Sequence, residues 1–127
     1  MVSVKAVFET NILVDYLNGE RKAATEISRY QKRLISRITW MEILVGAKTT
    51  DVRKAVFSFF QIFAVIEIDE NISLAAVELR QQFGLKLPNA IILATARANQ
   101  CLLVTRNTAD FSPKKFPDVR EPYRLKG

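Results

Sequence analysis

The stretch Val2-Ser3-Val4-Lys5-Ala6-Val7-Phe8-Glu9-Thr10-Asn11-Ile12-Leu13-Val14-Asp15-Tyr16-Leu17-Asn18-Gly19 decides the fold. Val2 to Phe8 is rich in Val and Phe and reads as a short β-strand. Thr10-Asn11 is a helix-start signal. Ile12, Leu13, Tyr16 and Leu17 then carry a short helix, which stops at Asn18-Gly19. The stretch is therefore a strand followed by a helix, with the acid Glu9 at the junction.

Outward from it the alternation continues. Glu20 to Lys32 reads as a second, amphipathic helix, Leu34 to Ser36 as a buried strand, and Thr39 to Ala47 as a third helix. Asp51 is the expected cap of a fourth helix whose apolar positions are Val52, Ala55, Val56, Phe59, Phe60 and Phe63. Val65 to Ile68 reads as a strand and Asn71 to Phe83 as a fifth helix. Pro88 opens a helix that Ala90 to Ala98 continues, and Leu102 to Val104 is a short strand. Beyond it the chain reads as irregular through Phe111, Pro113, Pro117 and Pro122. There is no repeat, low-complexity tract or linker, and 127 residues suit one domain, expected over 1–127. Strands alternating with helices predict an α/β fold with a parallel sheet covered on both faces. Such sheets take ligands at the carboxyl ends of their strands. That rule marks Glu9 after the first strand, Thr105, Arg106 and Asn107 after the Leu102–Val104 strand, and Asp110 a few residues later.

Composition narrows the chemistry. The chain is 49% hydrophobic and 25% charged, the balance of a globular protein rather than a disordered one. Its formal net charge of +6 suits a polyanion such as nucleic acid, or serves solubility alone. One cysteine and no histidine exclude a disulfide framework, a zinc site of His and Cys, and a histidine base. Carboxylates, hydroxyls, lysines or a metal held by oxygen remain. No apolar run approaches the ~18 residues of a membrane span, and no signal-like core follows the N-terminus, so a cytoplasmic location without a membrane partner is expected.

Four residues could carry chemistry. Glu9 reads either as a site carboxylate or as an acid that complements a helix dipole. Glu42 has Ile38, Thr39, Val45 and Gly46 as helical neighbours, so no basic side chain pairs with it along the helix. A carboxylate so placed needs a partner, a cleft or an exposed turn. Asp110 and Asn89 read equally as turn and helix-start residues. Collected in one pocket, the three acids would repel unless a cation neutralised them, and oxygen-only ligands suit Mg²⁺ or Mn²⁺. Such a metal activates water and stabilises charge on a phosphoryl group, which in a basic protein points to nucleic-acid hydrolysis.

The motifs resemble those of PIN domains. Phe8-Glu9-Thr10-Asn11-Ile12-Leu13-Val14-Asp15-Tyr16-Leu17 resembles their opening, Asp-Thr-Asn-Ile-Leu-Ile-Asp-Tyr-Leu. Ser36 to Gly46 resembles the second motif, with its acid at Glu42. Leu87-Pro88-Asn89-Ala90 and its apolar helix resemble the third, Leu-Pro-Asp-Ala, and Leu103 to Phe111 resembles the fourth. The ending Pro122-Tyr123 fits as well. The resemblance covers almost the whole chain, and the matching group is the VapC-type toxins of bacterial toxin–antitoxin pairs. It implies a PIN-like three-layer α/β/α sandwich with a central, mainly parallel sheet, Mg²⁺ or Mn²⁺ as cofactor, and endoribonuclease activity. It also implies a homodimer, a cognate VapB-like antitoxin that blocks the site, and a higher assembly of the two. Carried over by position, the catalytic set is Glu9, Glu42, Asn89 and Asp110, with Glu9, Glu42 and Asp110 on the metal and Asn11, Thr105 and Asn107 in support. Arg106, Lys114 and Lys115 are the RNA-phosphate candidates.

Two positions depart from the pattern: Glu9 and Asn89 stand where the family has aspartate. Glutamate is one methylene longer, and an error of ~1 Å at a reacting centre costs ~100-fold. Asparagine supplies no charge and accepts no proton. Weak metal binding and slow cleavage, if any, are therefore expected, and a non-catalytic module that holds antitoxin or RNA is the alternative. Arg21, Lys22, Arg29, Lys32, Arg33 and Arg37 crowd one stretch, and Lys48, Arg53, Lys54, Lys114 and Lys115 add more, either as a solvated face or as contacts to RNA phosphates. Phe57 and Ile62 lie off the apolar stripe of the fourth helix and mark either an interface or a deeply buried helix. A phosphoacceptor or nucleotide-binding domain fits poorly, because no Gly-rich phosphate loop is present and the chain has only four glycines.

Overall fold

The computed structural model describes residues 4–125. Its first strand, β1 (Lys5–Phe8), is buried from Ala6 onward. Side chains alternate along it: Ala6 and Phe8 enter one apolar cluster and Val7 the other. The same division recurs in β2 (Lys32–Ser36), with Ile35 on the first face and Leu34 on the second, and in β4 (Leu102–Val104), with Val104 and Leu103. A strand buried on both faces is the signature of a parallel sheet covered by helices.

With β3 (Ala64–Ile66) and β5 (Val119–Arg120), that sheet has the order β3-β2-β1-β4-β5, and every pairing is parallel. One face is covered by α1 (Thr10–Leu17), α2 (Arg21–Ser28), α3 (Arg37–Gly46) and α4 (Thr50–Phe60), through Ile12, Leu13, Ile27, Ile43, Val56 and Phe59. The other is covered by α5 (Glu70–Phe83) and α6 (Leu87–Ala98), through Ile72, Ala76, Leu79, Ile92 and Leu93. The result is the PIN-like α/β/α sandwich expected from the motifs. Among the described residues, no helix is long and apolar enough to cross a membrane.

The elements differ from the sequence expectation at their ends. Val2 and Ser3 lie outside the described residues. The second helix stops at Ser28, and Lys32 already belongs to β2, bonded through its N–H to the Val4 carbonyl at 2.7 Å. The polar pair Lys32-Arg33 hid the strand start, because exposed strand ends carry no alternation to read. Thr49, not Asp51, caps α4 by accepting from the Val52 N–H, and Asp51 falls in the first turn. Phe63 lies beyond that helix yet stays in the core. The third strand, β3, is Ala64–Ile66 rather than Val65 to Ile68. The tail read as irregular contains β5 (Val119–Arg120), two residues long, held by bonds such as Thr105 N–H to the Arg120 carbonyl at 3.1 Å. Gly84 ends α5 in the left-handed conformation at φ 70°, the cap expected of glycine there.

Candidate active site

Parallel pairing puts the ends of β1 and β4 side by side. Glu9 N–H bonds the Val104 carbonyl at 3.0 Å, so the residue after β1 meets the residues after β4. Glu9 also caps α1: its Oε2 accepts the Asn11 N–H at 2.8 Å. Asn11 is the hub of this corner. Its amide NH₂ donates to Glu9 Oε1 at 3.3 Å and to Thr105 Oγ1 at 3.2 Å, and its Oδ1 accepts the Arg106 N–H at 3.3 Å. The Thr105 hydroxyl donates to Glu9 Oε1 at 3.4 Å and accepts the Asn107 N–H at 3.0 Å. Thus the three residues assigned to support, Asn11, Thr105 and Asn107, form one bonded unit with Glu9.

Asp110 closes a second unit. Its Oδ2 accepts from the amides of both Asn89 and Asn107 at 3.0 Å, and its N–H bonds Asn107 Oδ1 at 3.2 Å. A carboxylate only accepts, so Asn89 must turn its NH₂ toward it. Glu42 stands on α3 with an exposed side chain. Thr10 Oγ1 lies 2.7 Å from Glu42 Oε1 and 3.1 Å from Thr39 Oγ1. One hydroxyl proton goes to one acceptor, and the charged one at the shorter distance takes it.

The charges of Glu42 and Asp110 reach Glu9. Burial raises the pKa of Glu9 above its ordinary value, the Asn11 N–H opposes this, and the charges of Glu42 and Asp110 raise it further. A group protonated more readily in the folded state contributes stability fully below its unfolded pKa of 4.5 and loses it as pH rises through the folded value. Glu9→Gln is therefore expected to gain melting temperature relative to the native chain between about pH 4 and about pH 7. Thermal melts of both proteins across that range check it, and parallel curves would contradict it.

Sharing a field is not sharing a ligand shell. Among the described residues, no three Asp, Glu, His or Cys side chains stand close enough to hold a metal. Several of the oxygens a hard cation would use are turned to donors: both oxygens of Glu9 to Asn11 and Thr105, Asp110 Oδ2 to two amides, and Glu42 Oε1 to Thr10. As they lie, these residues do not fit a divalent cation.

A recess of about 460 Å³ opens over this corner, lined by Glu9, Thr10, Asn11, Val14, Asp15, Arg106 and Asn107. Arg106 is not a free phosphate ligand. Its guanidinium grips Asp15 at 2.6 and 2.9 Å, and the Tyr123 hydroxyl donates to the same carboxylate at 2.7 Å. Lys114 and Lys115 are exposed on the loop after Asp110. Sequence reasoning missed Thr10, Thr39, Asp15 and Tyr123 as members of the site region. Asp15 carried a signal: Asn11, Ile12, Asn18 and Gly19 are its helical neighbours, so it lacks a basic partner along the helix as Glu42 does.

A family model described as PIN domain matches residues 6–116. Several solved structures are similar. A chain of a toxin–antitoxin complex from Klebsiella pneumoniae has a TM-score of 0.88 at 42% identity, covering 94% of this chain and 99% of that one. A chain of VapBC2 from Rickettsia felis, bound to a DNA fragment from their promoter, has a TM-score of 0.75 at 22% identity, covering 91% and 96%. A chain of FitAcB from Neisseria gonorrhoeae has a TM-score of 0.74 at 18% identity, covering 94% and 99%. The last two likenesses concern the fold alone. No curated protein sequence matches the chain. With its motifs in order, its sheet wound in this way and most of its length matched, the chain belongs to the PIN domain family and has the fold of its VapC-type members.

Proposed function

We propose that this chain is the toxin of a toxin–antitoxin pair, a Mg²⁺- or Mn²⁺-dependent endoribonuclease in kind, whose metal binding and RNA cleavage are impaired by Glu9 and Asn89. The observation that carries the impairment is the 3.0 Å bond from the Asn89 amide to Asp110. Two carboxylates at these places would repel, and a cation would relieve the repulsion. An amide removes one charge and gives Asp110 a neutral partner in place of the cation. Glu9 adds to this by spending its carboxylate on capping α1.

The partner in this reading is a VapB-like antitoxin. An apolar groove of about 480 Å³ between α1, α3 and α4, lined by Val14, Leu17, Ile43, Val52 and Val56, runs up to Glu42. An amphipathic segment laid there would bring a basic side chain to Glu42 and toward the other carboxylates. This groove needs no metal, and it favours a second reading: a binding module that holds antitoxin without cutting. The apolar side chains Leu74 and Val77 on α5 and Leu87 on α6 are exposed, which supports a homodimer and a higher assembly with antitoxin.

Expression in bacteria without antitoxin tests the toxin reading. The native chain is expected to leave growth nearly unchanged and the Glu9→Asp, Asn89→Asp variant to arrest it. Equal arrest by both would overturn the impairment. Arrest by neither would favour the binding module.

A further inference from the structure

The recess between α2 and the segment after β5 is formed by Arg21, Lys22, Thr25 and Arg29 on one side and Pro122 and Tyr123 on the other, around Glu26, with a volume of about 280 Å³. We propose that it is a subsite for a backbone phosphate of single-stranded RNA, which holds the strand beside the acidic corner. This rests on the toxin-nuclease reading and extends it to where the substrate lies.

Arg21, Thr25 and Arg29 recur every fourth residue and so share one face of α2, with Lys22 one position round from Arg21. What separates them from an ordinary solvated face is the carboxylate beneath. Glu26 is 4% exposed, and its oxygens are fully used. The Arg120 guanidinium donates to both oxygens at 2.8 and 3.1 Å, the Tyr30 hydroxyl to one at 2.9 Å, and Arg29 to the other at 3.2 Å. Burial pushes the Glu26 carboxyl up, but the bonds from Arg120 and Tyr30 outweigh it and hold the group below its ordinary range. The acid is therefore committed to fixed partners, Arg29 among them, and among the described residues leaves the rim cations Arg21 and Lys22 without a carboxylate. Among the described residues, Arg21 meets no carboxylate, and the Lys22 ammonium reaches only the Arg124 carbonyl at 3.4 Å. Glu20 spends its carboxylate on the Lys22 N–H at the start of α2, and Glu121 is paired with Arg124. A guanidinium, an ammonium and a hydroxyl converging on a recess match the oxygens of a phosphate.

The position ties this recess to the acidic site. Tyr123 lines it and donates to Asp15, whose partner Arg106 lines the recess over Glu9. Pro122 and Tyr123 follow β5 and so stand at the carboxyl edge of the sheet, as do Glu9 after β1 and Arg106 and Asn107 after β4. β1 and β5 are two strand spacings apart, about 10 Å. A single strand tracked by a basic groove crosses that edge without leaving the protein surface.

The test is binding of a short fluorescent single-stranded RNA by anisotropy, in EDTA, over a salt series, so that cleavage plays no part. Arg21→Glu, Lys22→Glu is expected to weaken binding by about tenfold and to lower the salt slope by about one. Arg21→Gln, Lys22→Gln is expected to lose about half as much on a logarithmic scale, with the fold checked by circular dichroism. Lys48→Glu, Lys54→Glu, an equal charge change on exposed residues elsewhere, is expected to stay within about twofold of the native chain. Equal weakening by both pairs would reduce the effect to net charge and overturn the subsite. So would native binding that neither pair changes, and the toxin-nuclease reading would then stand. Inorganic phosphate that binds as tightly as the RNA would assign the recess to a free anion instead. RNA binding by neither the native chain nor Glu9→Asp, Asn89→Asp would sink the RNA reading itself.

Discussion

The Glu9→Asp, Asn89→Asp variant is expected to cleave RNA in Mg²⁺ about 100-fold faster than the native chain. Asn89→Asp removes the amide from Asp110 Oδ2 and sets a second carboxylate against it. The pair then repels until a cation binds, so affinity for metal rises because the empty site becomes less stable. Glu9→Asp shortens the arm that now reaches the Asn11 N–H and the Thr105 hydroxyl, and places the carboxylate where the other acids can share an ion with it. Asn89→Asp alone is expected to supply the larger part, because it changes charge as well as geometry. Single-turnover cleavage of RNA over a range of Mg²⁺ concentrations measures this, and equal rates for native and double variant would refute it.

Asp15→Ala is expected to destabilise the fold by about 3 kcal/mol, lowering the melting temperature by about 10 °C. Asp15 is 7% exposed and serves two partners at once, the Arg106 guanidinium and the Tyr123 hydroxyl. Removing it leaves a guanidinium and a phenol without their acceptor. The cost sits at the low end for a broken buried pair, because the Arg106 side chain keeps 28% of its surface in water. Tyr123→Phe, which removes one bond to the same carboxylate, is expected to cost about 1 kcal/mol. Urea unfolding of the three proteins checks the order, and an Asp15→Ala protein as stable as the native chain would show that this cluster holds nothing together.

The architecture was legible because burial on both faces leaves a mark. Val7, Phe8, Leu34, Ile35, Leu103 and Val104 sit in apolar runs, and Ile72 to Leu79 repeat at helical spacing. What could not be read were short or polar ends. Val119-Arg120 is too brief to show a period, and Lys32-Arg33 begins a strand with charged residues. At the candidate site, rules about strand ends and unpaired acids singled out Glu9, Glu42, Thr105 and Asn107. They could not find how the groups are spent. Thr10 read as a helix start, yet its hydroxyl serves Glu42 on another helix. Arg106 read as a phosphate ligand, yet Asp15 holds it. Both are partnerships across about thirty and about ninety residues of chain, which local patterns do not carry. Asp15 itself was within reach, since it has the same lack of a helical partner that singled out Glu42.

Mn²⁺ titration by calorimetry, on the native chain and on Glu9→Asp, Asn89→Asp, decides whether Glu9 and Asn89 impair metal binding. Little heat is expected from the native chain, whose carboxylates are turned to amides, hydroxyls and a helix end, and saturable binding from the variant. Tight and equal binding by both would contradict it, because Glu9 and Asn89 would then be competent ligands and the bonds that now engage Glu9 and Asp110 would yield to metal.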